Sequence, residues 1–341
     1  MKDSVIKNNI NNKNGAYSFY VDYAKLFCCV LIVGAHCRPL FSQDILNYYY
    51  GQWFFRLSVP FFFISSGYFF SKMNGSKRQK YIKRIAVIYA GSLIIYSPSL
   101  MADDLRGLIN DIVFGYYHLW YLSALFFGLI AAHLLEKAIK EYRFFFILLL
   151  VAGVLFDEYY KLLGSSVLNR IAECVDLIGT ARHALFFGLP LILIGECLSK
   201  REWKNTGNSK LLLLLAVTLA FGFFEATAFR RAVQGDVSLD VSIFGWTPAV
   251  PLFLLAIGNK PKRVRFNTRK LRRTVDFVYI VHIYVIAVLK DLFAQSHFSL
   301  LFFTLLISFA VSYFVLFLAE AIKKLIKNVR KKSAENLRQT D

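Results

Sequence analysis

Apolar runs of about 20 residues recur along this chain, and basic residues gather in the short stretches between them. A helical run of that length rises about 1.5 Å per residue and matches the ~30 Å hydrocarbon core of a bilayer. Ten runs qualify: 17–37, 53–71, 81–101, 118–135, 143–156, 183–199, 211–229, 242–258, 275–293 and 298–322, the fifth being the shortest. The reading is all-α, a polytopic membrane helix bundle of about ten transmembrane helices over 17–322. Residues 1–16 form a cytoplasmic tail without the character of a cleavable signal, and 323–341 a basic cytoplasmic tail. With 57% apolar and aromatic residues and 18% charged, a soluble domain of this size would expose far too much apolar surface. The same composition excludes a disordered or collagen-like chain. No fixed-period repeat marks a solenoid. The net charge of +19 falls in bursts, not along one solvated face, so nucleic acid is not the expected partner.

Charge sets the expected orientation. Of the 41 Lys and Arg, 31 lie in the N-terminus, 72–84, 136–143, 199–210, 258–273 and the C-terminal tail. Eight lie in 38–52, 102–117, 157–182, 230–241 and 290–297. Cytoplasmic loops carry the excess of cations, so both termini are expected inside and 157–182 is expected to be an external loop.

Charge within a bilayer costs a few kcal/mol or more, so it marks function or a specific pair. The first run reads SFYVDYAKLFCCVLIVGAHCRP. Asp22 and Lys25 are about one turn apart and can pair. His36 lies on nearly the same face, roughly 16 Å further along. Together they make a polar stripe that must face the bundle interior; a buried ion pair with a satisfied histidine is the plain alternative. Arg56 opens the second run at a depth expected to match His36, although an Arg there can also snorkel to the surface. Pro60, Ser65, Ser66 and Gly67 predict a kinked, closely packed second helix.

His118, Trp120 and Tyr121 open the fourth run, and Arg182 and His183 the sixth, all at the expected outer level. Trp and Tyr there also suit an ordinary interfacial belt. On the inner side, Lys80, Lys83 and Arg84 fit a polyanionic donor, though the positive-inside rule alone also places cations there. His282 is read as lying about seven residues in from the cytoplasmic side of its run. The cysteines (Cys28, Cys29, Cys37, Cys174, Cys197) form no CxxC pair and have no histidine at ligand spacing, so they read as buried thiols and no metal site is expected. Nucleotide-binding and protease motifs are missing from the sequence, which argues against an ATP-driven pump.

These residues carry a resemblance. From about Tyr20 to Leu325 the chain resembles the acyltransferase-3 family of integral-membrane acyltransferases. Asp22, Lys25 and His36 match its first-run motif of Asp, a basic residue and, after ten intervening residues, His; the family more often has Arg where Lys25 stands. Arg56 with VPFFFISSGYF resembles the second block, HLWYLSALFFG the fourth, ALFFGLPLILIG the sixth and VYIVHIYVI the Tyr–x–x–His block. Trp120-Tyr121-Leu122 departs from the Trp-Ser-Leu of many glycan-modifying members, and Val87 stands where a second donor-loop arginine is common. The HLWYL block is similar to that of the membrane domain of vancomycin-resistance serine racemases; the chain is expected to be a membrane domain without the racemase portion.

The resemblance implies transfer of an acyl group, commonly acetyl, from cytoplasmic acyl-CoA to a hydroxyl acceptor such as a cell-surface glycan or other envelope molecule. His36 would act as general base, Arg56 would face the developing oxyanion, and Lys25 with Asp22 would keep the donor path polar. Lys80, Lys83 and Arg84 would hold the donor. His118, Trp120, Tyr121, Arg182, His183 and His282 would contact substrate. Membrane lipid surrounds the whole. The alternative class is a permease for a small polar solute such as serine, with the same stripe lining a path; an inverted repeat would favour it, and none is evident.

Overall fold

A computed structural model describes residues 19–100, 104–155, 182–203, 207–233, 241–259, 268–294 and 296–339. The regular elements among them are all helical. The principal helices are α1 (Phe19–His36), α2 (Asp44–Gln52), α3 (Ser58–Ser71), α4 (Gly75–Ile95), α5 (Trp120–Leu134) and α6 (Glu136–Val154). They continue as α7 (Leu189–Ser199), α8 (Asn208–Val233), α9 (Ala249–Gly258), α10 (Thr268–Leu289) and α11 (His297–Gln339). Short turns at Phe54–Leu57, Asp111–Gly115, Tyr117–Leu119 and Ala184–Gly188 lead into the longer helices.

A helix underlies each of the ten apolar runs. Phe19–His36, Tyr117–Leu134, Asn208–Val233 and Phe298–Val329 are long and apolar enough to cross a membrane. Arg143–Val154, Ala184–Ser199 and Ala249–Gly258 are apolar but shorter. The expectation of about ten spans is therefore supported by length and composition at four helices. Several expected boundaries also move. Residues 38–52 are not simply a loop, because they contain α2. The basic stretch 72–84 is helical from Gly75, and α10 begins at Thr268 rather than 275. α11 runs on to Gln339, through the expected tail. The expected external loop lies outside the described residues up to 181, as do Cys174 and residues 260–267 of the basic loop.

The polarity of α11 explains its place in a membrane. Thr304, Ser308 and Ser312 recur at one-turn spacing and are fully buried, whereas Phe302, Phe314 and Phe317 are about 60% exposed. Hydroxyls inward and phenyl rings outward is the reverse of a water-soluble surface, and it suits a lipid surround.

The chain forms two compact units. In the first, Met1–Cys28 with Gln43–Arg263, α3 and α7 pack most extensively. Glycines decide that crossing. A Cβ at Gly67 would collide with the Ile192 carbonyl, and one at Gly195 with the Ile64 carbonyl, so the backbones touch where no side chain intervenes. Pro60 is the third residue of α3, where the helix needs no N–H from it, so the proline starts the helix instead of kinking it. Beyond α3, Arg78 closes the helix end: it donates to the carbonyls of Phe70 at 3.2 Å and Ser71 at 3.1 Å, and pairs with Glu136 at 3.2 Å. α2 is clipped to α8 by the Tyr48 hydroxyl on the Ala226 carbonyl at 2.9 Å and by Tyr49 with Thr227 at 3.0 Å. The second unit, Cys29–Ser42 with Val264–Asp341, is the α10–α11 hairpin with the end of α1.

Candidate functional site

In the second unit α1 ends on His36, and the His36 ring centroid lies 5.2 Å from that of His282 on α10, the planes tilted by 53°. His282 is fully buried. Its Nδ1 is 2.8 Å from the Tyr279 carbonyl and 3.1 Å from the Val278 carbonyl. Carbonyls only accept, so Nδ1 carries the proton and donates, and Nε2 keeps the lone pair. Helical back-bonding thus fixes both tautomer and ring orientation. The early start of α10 moves His282 from the expected cytoplasmic third to beyond the helix midpoint, where it meets His36. Two histidines separated by 246 residues of chain become neighbours, and no spacing along the sequence pairs them. The buried row Thr304, Ser308 and Ser312 on α11 also went unremarked in the sequence, although hydroxyls four residues apart in an apolar helix are a readable signal.

Asp22 and Lys25 sit on the part of α1 that belongs to the first unit; Asp22 is buried and Lys25 half-buried. Arg56 is also in the first unit, half-buried in the short turn before α3. Its guanidinium donates to the Gln52 side-chain carbonyl, one turn back, and lies 5.6 Å from the Phe55 ring centroid. A second layer holds the arginine stem. Glu225 on α8 is buried and accepts the backbone N–H groups of Ile243 at 2.6 Å and Phe244 at 2.8 Å. The Ser242 hydroxyl accepts the N–H of Gly245 at 2.8 Å. A Cβ on Gly245 would press on the Arg56 Cβ at 3.2 Å, so this tight turn lies against the arginine. The sequence reading passed over Glu225, although a lone carboxylate in LLLLLAVTLAFGFFEATAF is the kind of intramembrane charge that asks for a partner.

The residues expected at the outer level lie elsewhere in the first unit. Gly115 (φ 93°) and Tyr117 (φ 46°) adopt left-handed backbone and turn the chain sharply into α5. His118 is thereby buried, not spread in an interfacial belt, and its ring lies 5.0 Å from that of Tyr96. Trp120 receives the Arg182 guanidinium at 5.8 Å. Tyr121 packs against Phe63 at 4.9 Å, and His183 stacks on Phe114 at 4.1 Å. Lys80, Lys83 and Arg84 are exposed on α4, where spacings of three and four residues put them on one side of the helix.

The acyltransferase-domain family profile, acyltransferase 3, matches residues 18–319. Among curated proteins, an amino-acid racemase of Enterococcus faecalis is 30% identical over 62% of this chain and 32% of its own length. A second amino-acid racemase of that organism is 27% identical over 80% of this chain and 41% of its own. A serine/alanine racemase of Enterococcus gallinarum is 26% identical over 78% and 40%. The chain thus spans about two-fifths or less of the length of these relatives. No solved structure matches. The profile covers nearly every helix described above, and on that ground the chain belongs to the acyltransferase-3 family of membrane acyltransferases.

Proposed function

We propose that this protein is an integral-membrane O-acyltransferase that moves an acyl group, acetyl in the first instance, from cytoplasmic acyl-CoA to a hydroxyl acceptor of the cell envelope. The observation that carries the reading is the His36–His282 pair within a family defined by acyl transfer. His36 takes the proton from the acceptor hydroxyl as its oxygen attacks the thioester carbonyl. The new C–O bond forms, the C–S bond breaks, and the proton passes to the departing sulfur, giving an ester and free CoA thiol. His282, locked by its own helix, holds the His36 ring in place. Arg56 is assigned to the oxyanion on the resemblance of the second-run block and on the turn that immobilises it. Lys80, Lys83 and Arg84 are assigned to the donor phosphates on charge and helical spacing.

The decisive experiment incubates purified protein with radiolabelled acetyl-CoA and scores hydrolysis and transferred label. His36→Ala is expected to lower turnover by ~10²–10⁴-fold while the protein still inserts and folds. Full turnover in the folded variant overturns the mechanism. A second reading is a permease for a small polar solute such as serine, the amino acid that the name of the Enterococcus gallinarum relative carries. Serine uptake into proteoliposomes with no acetyl-CoA turnover would select it.

A further inference from the structure

A cavity of about 220 Å³ lies in the first unit, where α5 faces the turns Asp111–Gly115 and Ala184–Gly188. Both turns are π-helical. That winding is wider than an α-helix, is uncommon and gathers at functional positions. The walls are apolar: Val113, Phe114, Ala124, Phe127, Leu185 and Phe186. Ser123 also lines the cavity, but its hydroxyl donates to the Val113 carbonyl and so belongs to the wall. His183, flat against Phe114, is the ionisable side chain of the lining. Phe127 and Leu185 are 38% and 46% exposed. Phe127 lies on Tyr117–Leu134, a stretch long and apolar enough to cross a membrane, and this is the ground for reading the mouth beside it as facing lipid.

An apolar cavity stays dry and takes apolar guests. At about 30 Å³ per water-sized atom it has room for roughly seven non-hydrogen atoms. An acetyl group would leave most of it empty, and a small polar solute would find walls that offer it almost no hydrogen bonds. We propose that this cavity seats the terminal segment, about seven carbons, of one alkyl chain of a membrane lipid, entering from the bilayer. The acyl-transfer reading is needed only for the chain's role, which is to anchor a lipid-borne hydroxyl acceptor; the binding itself does not depend on it.

The test uses the full chain in phosphatidylcholine nanodiscs doped with a lipid that carries a diazirine along one acyl chain. After irradiation, cross-links are mapped by mass spectrometry, with no turnover required. Label is expected to concentrate on peptides covering 113–127 and 184–186. Ala184→Trp, which fills the cavity, should reduce it there to the level of the exposed face of α8, and Phe127→Ala should raise it. Should Ala184→Trp fail to fold, Leu185→Trp at the rim serves in its place. Label equal to that on α8 and indifferent to the plug overturns the proposal. So does label displaced by octanoyl-CoA, which would assign the cavity to the donor's chain. Either failure leaves the His36 experiment intact.

Discussion

His282 shows how much one backbone contact can decide. Its Nδ1 donates to carbonyls of its own helix, so the ring cannot rotate to offer that nitrogen elsewhere. A base held by such a partner keeps one geometry through the reaction. His282→Ala removes the ring that packs against His36. It is expected to lower turnover tens of fold, on the order of one positioning contact, whereas His282→Phe, which keeps the ring contact, should retain most of it. Unchanged turnover in folded His282→Ala would show that His36 is positioned without it. Glu225 works at the same scale. Its two oxygens hold the turn beside Arg56, and each amide left without an acceptor in a buried site costs about 1–3 kcal/mol. Glu225→Ala should therefore lower the thermal midpoint in detergent. Glu225→Gln should fall between, because its amide nitrogen can only donate toward an N–H. Equal stability of all three proteins would show that the turn holds itself.

Among the elements, the α3–α7 crossing depends on what is missing from it. Gly67 and Gly195 let the two backbones meet, and any side chain there must separate them. Overpacking of this kind typically costs about 1–3 kcal/mol. Gly91 in α4 is the contrast, since an added Cβ meets nothing within 4 Å. Gly195→Ala is expected to lower the melting temperature, and Gly91→Ala to raise it by the ~0.5–1 kcal/mol that alanine gains over glycine inside a helix. Differential scanning fluorimetry of the two variants checks both signs. The same crossing explains Pro60. The sequence reading of a kinked helix assumed a proline in mid-helix, but the preceding residues form a separate short turn and α3 starts only at Ser58. Basic residues of α4 divide in a similar way: Arg78 is consumed in closing α3, whereas Lys80, Lys83 and Arg84 remain exposed.

For the whole molecule, the asymmetry of 31 cations against eight predicts that both termini face the cytoplasm. Cysteines introduced at Ser76 and Gly235 should react differently with an impermeant maleimide on intact cells, only Gly235→Cys being reached from outside; external labelling of Ser76→Cys would reverse the orientation. The membrane class, the helical content, the family and the candidate His36 were all legible in the sequence, because each depends on run length, composition or a local spacing. A bilayer demands that backbone groups be satisfied within one segment, so an apolar run long enough to span already implies its helix. What the sequence could not order were the encounters between segments distant along the chain. His282 meets His36 from a helix distant along the chain, and Glu225 reaches the Arg56 turn from another helix. The cavity between two π-helical turns depends on left-handed backbone at Gly115 and Tyr117 that no periodicity announces. Contacts of this kind are set by which faces pack and at what depth, and that is decided only when the helices assemble.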